Sequence, residues 1–70
     1  MNKQILQKFG RRVREERDKQ GISQERLGQL AGVHRTYIGM IERAEKNITL
    51  TNMQKIAKAL GMRVNNLVDF

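Results

Sequence analysis

The chain has 70 residues, with 14 Lys and Arg against seven Asp and Glu (net charge +7), one histidine and no cysteine. That length allows one small domain with a thin core; the missing cysteines exclude a disulfide framework or thiolate metal site, and a single histidine puts a conventional zinc site out of reach. The positive excess favours a polyanionic partner, nucleic acid or an acidic membrane surface, whereas no apolar run approaches the roughly 20 residues of a membrane span and no signal peptide is visible, so a cytoplasmic protein is expected.

Proline is absent, strand-type alternation is hard to find, and helical spacing recurs between Gly, Ser, Thr and Asn. The spacing predicts a first helix from about Lys3 to Lys19, with Leu6, Phe9 and Val13 along one face. Its stripe then meets the polar Glu16 and Arg17, and Gly21 stops it. Lys8, Arg11, Arg12 and Arg14 read as a solvated face that supplies general positive field. Ser23 is the N-cap of a second helix, with Glu25 in the first turn at the positive end of the dipole. Leu27, Leu30 and Ala31 form its apolar face, and Gly32 ends it. A third helix follows after one or two residues, with Ile38 and Ile41 buried. Thr49 or Thr51 begins a fourth, with Met53, Ile56, Ala57 and Leu60 inward and Gly61 as its stop. A final short helix, Asn65 to Phe70, carries Leu67, Val68 and Phe70. The expected architecture is all-α: five short helices around one core, in a single domain over residues 1–70.

The junction of the second and third helices carries the functional signal. Gly28 and Ala31 remove side chains where another helix can cross closely, Gly32 accepts a left-handed backbone, and Val33 plugs the corner. Any corner between two helices needs a glycine. Here Leu27, Gly28, Ala31, Gly32, Val33, Ile38 and Ile41 together fall at the spacings of a DNA-binding helix-turn-helix. Residues 24–43 resemble the helix-turn-helix of the lambda-type regulators (Cro, phage repressor or XRE-like). "FGRRVREERDKQGISQERL" is similar to the first two helices of that family, and "LTNMQKIAKALG" to its fourth. Within it, "RTYIGMIER" followed by "EKNITLTNMQKIAKAL" most resembles the small controller proteins of restriction–modification systems. The resemblance implies a compact lambda-repressor-like fold, double-stranded DNA as partner, and operator binding as a homodimer.

With the third helix in the major groove, Ile38 and Ile41 point to the core and Arg35, Thr36, Gly39, Met40 and Arg43 lie outward. Arg35 has the fork to bond guanine O6 and N7 together, worth roughly 1–3 kcal/mol of discrimination; the alternative is an arginine serving only phosphate. Thr36 offers a hydroxyl and a methyl, and the resemblance supports Arg35 and Thr36 as the reading pair. Met40 either meets a thymine methyl or is an exposed spacer. His34 caps the helix or touches phosphate. Tyr37 either packs beside Ile41 or reaches phosphate with its hydroxyl, and Gly39 would let the backbone approach DNA. Gln24 begins the second helix, where backbone N–H groups and its amide can hold a phosphate; the resemblance implies that role, together with bracing of the recognition helix. Arg43 and Asn47 are further phosphate contacts, with Lys46 and Thr49 as weaker ones.

The family pattern also pairs an arginine at Arg17 with a glutamate at Glu42, implying a structural ion pair. Glu16 departs from the pattern, which more often has leucine, so the first helix is expected to be looser there.

One recognition helix reads too few base pairs for a useful genomic site. A two-fold interface is therefore expected from the last helix and the end of the fourth, through Met62, Val64, Leu67, Val68 and Phe70, unless these only seal the monomer core. The leading expectation is a sequence-specific regulator acting on a pseudo-palindromic operator. A phage or plasmid repressor and an antitoxin-like protein-binding module are the alternatives, although no toxin-binding segment is seen after the fifth helix. Nothing points to an enzyme, a metal, a cofactor or a small-molecule ligand: there is no nucleophile–base pair and no phosphate-cradling glycine loop. A membrane-surface helix over residues 3–19 would leave the rest of the chain unexplained.

Overall fold

Side chains that accept orphan backbone N–H groups set where most of the helices begin. The computed structural model describes residues 2–70, and its elements are α1 (Lys3–Lys19), α2 (Gln24–Ala31), α3 (Arg35–Glu42), α4 (Leu50–Ala59) and α5 (Val64–Leu67). Asn2, Ser23, His34 and Thr49 cap the first four, each with an extended backbone and a side chain accepting an N–H two or three residues on. Thr49, not Thr51, starts α4: its Oγ1 accepts from the Asn52 N–H at 3.1 Å. No side chain caps α5.

The core is Phe9 and Val13 from α1, Leu27 and Ala31 from α2, Ile38 and Ile41 from α3, Ile56 and Ala57 from α4, with Ile48, Leu60 and Leu67. Ile48 lies in the loop between α3 and α4, where no periodicity marks it. Leu30 does not join the apolar face of α2. It is 47% exposed, beside Lys55, Lys58 and Ala59 of α4, because the inward row of this short helix is Leu27, Gly28 and Ala31.

The expectation of a loose end to α1 is corrected by its ion pairs. The helix runs unbroken to Lys19, and the Glu16 carboxylate is held by Arg12 at 2.7 Å and Lys19 at 3.1 Å, four residues before and three after it. Arg12 likewise is not part of a solvated face. It is half-buried, and its Nη2 donates to the Asn66 carbonyl of α5 at 3.4 Å.

The last helix is also shorter than the spacing suggested, four residues rather than Asn65 to Phe70. Leu67 is fully buried within the chain, so it seats α5 on the core and has no surface to offer a partner. Met62, Val64 and Val68 are half-buried against the same core, and Phe70 is 53% exposed. Among the described residues, no helix is long and apolar enough to cross a membrane.

Two backbone-to-backbone contacts fix α3. A Cβ placed on Gly10 of α1 would meet the carbonyl oxygens of Ile41 and Glu42, the latter at 2.8 Å. One placed on Gly28 of α2 would lie 2.7 Å from the Val33 carbonyl oxygen and 3.2 Å from the Arg35 nitrogen. The obstacles are main-chain atoms, which cannot swing aside as a side-chain tip does. Gly10→Ala and Gly28→Ala should each lower stability by about 1–3 kcal/mol, the range for overpacking, seen in urea unfolding as a lower midpoint at unchanged slope.

Candidate nucleic-acid interface

The turn from α2 into α3 is three residues long. Gly32 has φ +74°, the left-handed region that a Cβ disfavours. The Val33 N–H returns to the Gly28 carbonyl at 2.9 Å, closing the end of α2. His34 then caps α3, its Nδ1 accepting the Thr36 N–H at 3.0 Å. A neutral ring bonded this way carries its proton on Nε2, on a side chain that is exposed.

Within α3, Ile38 and Ile41 are buried while Arg35 and Thr36 are exposed in the first turn and Met40 is half-buried. Arg43, the C-cap residue, is 56% exposed. Its Nε lies 3.1 Å from Glu45 Oε2, and that hydrogen bond raises the guanidinium above its ordinary pKa. The helix closes with the Glu45 N–H on the Met40 carbonyl and the Ala44 N–H on that of Ile41, with Ala44 itself at φ +59°. A glycine is usual there; the alanine stores strain of about 1–2 kcal/mol at the exit of the helix.

Glu42 sits at the centre of a clasp between α1, α2 and α3. Arg17 Nε is 2.8 Å from Glu42 Oε2 and Arg17 Nη2 is 3.1 Å from Oε1, a two-pronged pair. Arg17 Nη1 also donates to the Ile22 carbonyl at 3.0 Å. From α2, the Gln24 amide donates to Glu42 Oε1 at 3.1 Å. The two charged side chains are nearly dry, 12% and 3% exposed for Arg17 and Glu42. The hydrogen bond to Glu42 raises the Arg17 pKa from its usual value against the opposing effect of burial.

Gly39 does not present open backbone. It is buried, with the Arg43 guanidinium 3.0 Å and Gln24 Oε1 3.5 Å from where its Cβ would lie. These two side chains are what its small size admits. Tyr37 packs on the core and its hydroxyl oxygen accepts from Asn52 Nδ2 at 2.9 Å, tying α3 to α4; the hydroxyl proton remains available as a donor. Lys46, Asn47 and Thr49 are exposed in the α3–α4 connection, beside Arg43 in sequence. Arg35 is not a lone arginine: its Nη1 is 3.2 Å from Glu25 Oε2 of α2. The structure thus gathers Gln24, Gly39, Glu42 and Arg43 into one cluster, with Arg35 and His34 at the other end of α3. Near the C-terminus, Met62 and Val64 line one cleft with Ala57 and Lys58 of α4, while Val68 and Phe70 line another with Ile5, Phe9 and Met53.

Sequence reasoning did not find Asn52, Glu45 or the contact of Glu25 with Arg35. The position of Glu25 in a first turn has a sufficient local explanation in the helix dipole, and nothing in the spacing betrays a partner ten residues on.

Residues 13–66 match the helix-turn-helix family. The chain belongs to that family, in its restriction–modification controller branch. Control protein C.BamHI of Bacillus amyloliquefaciens is 45% identical, with 100% of this chain and 88% of that protein covered. The crystal structure of the restriction–modification controller protein C.AhdI from Aeromonas hydrophila superposes with a TM-score of 0.87 at 45% identity, covering 89% of this chain and 94% of its own. The DNA-binding domain of the P22 c2 repressor shares the fold at 34% identity and a TM-score of 0.81, over 97% of this chain and 86% of that domain.

Breaking the clasp from one side should be costly, because it strands a charge that is nearly out of water. Glu42→Ala should lose about 3–5 kcal/mol, whereas Arg17→Met with Glu42→Leu should recover most of that loss. Urea unfolding of the single and double variants measures both.

Proposed function

We propose that the chain is a cytoplasmic, sequence-specific transcription regulator that binds a pseudo-palindromic operator as a homodimer, the controller protein of a restriction–modification system. The observation that carries this reading is the presentation of α3. Its buried edge is anchored on two neighbouring helices, and its first turn offers Arg35 and Thr36 outward. Its membership among the controller proteins supports the same reading.

In this account Arg35 pairs with guanine O6 and N7, Thr36 offers hydroxyl and methyl to the adjacent base, and Met40 meets a thymine methyl at the edge of the groove. The phosphate contacts come from Gln24 at the start of α2, the His34 Nε2–H, the Tyr37 hydroxyl, and Arg43, Lys46 and Asn47 beyond α3. Gly39, being covered, makes no contact of its own. Gln24 then has two tasks, since its amide donates to Glu42 while the N–H groups of Gln24 and Glu25, ahead of the Arg26 N–H that Ser23 caps, serve an anion.

The dimer forms through the exposed ring of Phe70 with the outer sides of Met62, Val64 and Val68. Leu67 supports that surface from beneath. A two-fold pair of α3 helices about 34 Å apart reads half-sites one helical turn apart. Control follows from occupancy of the operator, hence from protein concentration.

The roles separate in binding experiments. Arg35→Ala should relax preference at one base pair per half-site, while Arg43→Ala should weaken all duplexes alike and reduce the dependence on salt. Affinities of both variants for an operator and its single-base-pair variants, measured at several salt concentrations, test this; equal loss on every sequence for Arg35→Ala overturns its base-reading role. Sedimentation at tens of micromolar protein should show a dimer, and a monomer with and without operator rules out the interface.

A further inference from the structure

We infer that Glu25 is a positioning residue for base selection, holding the Arg35 guanidinium so that it engages a base edge rather than a phosphate. The inference rests on Arg35 being the base-reading arginine.

Glu25 lies in the first turn of α2, and Arg35 is the first residue of α3. Their backbones are fixed relative to one another, because Gly28 lets the Arg35 nitrogen come within 3.2 Å of where its Cβ would lie. Across that junction Arg35 Nη1 donates to Glu25 Oε2 at 3.2 Å. Both side chains are more than half exposed, 64% for Arg35 and 61% for Glu25, and such a pair contributes little to folding. Glu25, Val33, His34 and Arg35 line one surface cleft together with Gln29, so the carboxylate stands beside the proposed reading head rather than behind it.

The consequence follows from the donor geometry of arginine. A guanidinium has five N–H groups in a planar fork. With Nη1 turned to Glu25, Nη2 and Nε still form an edge that matches the two acceptors of guanine, O6 and N7. Adenine presents a donor, N6–H2, in place of O6 and repels that edge. A phosphate is a worse partner again, since bringing it to Arg35 places a second anion next to the Glu25 carboxylate. The long arginine side chain also gives up part of its rotational freedom before DNA arrives, so less is lost on binding. Glu25 therefore lowers affinity for DNA in general and raises the share of it that depends on sequence.

The test is a cycle of four proteins: the full chain, Glu25→Gln, Arg35→Ala and the double variant. Each is titrated with an operator duplex, with duplexes carrying single guanine-to-adenine exchanges, and with an unrelated duplex of equal length. Glu25→Gln should bind the unrelated duplex about two- to fivefold more tightly, since one negative charge has left the surface facing DNA. Its discrimination at the base pair read by Arg35 should fall at least about threefold. With Arg35 replaced by Ala, the exchange at Glu25 should still tighten unrelated binding but leave that discrimination unchanged. If Arg35→Ala alters discrimination at no base pair, the base-reading role itself fails and the inference with it. If Arg35→Ala does alter it, but Glu25→Gln leaves it at the original value or lowers it equally without Arg35, the positioning role of Glu25 is overturned while the base-reading role stands.

Discussion

The Glu42 carboxylate is the point on which the recognition surface depends. One oxygen accepts from Arg17 Nε, the other from Arg17 Nη2 and the Gln24 amide, so α1, α2 and α3 meet at a single residue. A helix of eight residues such as α3 is too short to persist alone, since isolated helices below about 12–15 residues are marginal in water. Its direction in space comes wholly from neighbours. Gly10 and Gly28 bring two other backbones against it, Ile38 and Ile41 bury its inner edge, and the Tyr37–Asn52 hydrogen bond ties it to α4. The clasp adds a directional contact at the C-terminal end, where apolar packing alone would leave rotation about the helix axis soft.

Charge is used in two ways in this chain, and burial separates them. The Arg17–Glu42 pair is nearly excluded from water and serves the fold. The Arg35–Glu25 and Arg43–Glu45 pairs are exposed, with each arginine side chain more than half open to solvent. The overall charge of +7 favours the approach of a polyanion such as DNA.

Much of the fold was legible in the sequence because local rules and the tertiary structure agree. Ser23 and Thr49 cap helices, Gly32 has the positive φ its position demands, and Ile38 and Ile41 face inward at the spacing of one helix face. The departures have physical causes. Leu30 follows the helical period but lies outside the narrow inward row of α2, and Ile48 is buried from a loop that has no period. Leu67 reads as spare apolar surface, yet a core drawn from so short a chain needs it whole. Arg12 looks like one cation among several on α1, whereas its bond to the Asn66 carbonyl depends on where α5 docks. In the interface, the outward direction of Arg35 and Thr36 follows from the period of α3 alone. The covering of Gly39 and the partner of Arg35 do not, because both depend on side chains from outside that helix.

The chain is a scaffold that aims one short helix, and the proposed function adds the pairing of two copies through the C-terminal residues. Selection of binding sites from random duplex DNA tests that claim most directly. The account predicts recovery of an imperfect palindrome whose half-sites are centred about 10–10.5 base pairs apart, one turn of the double helix. Recovery of no preferred sequence, or of a lone asymmetric half-site bound by one copy, would contradict it.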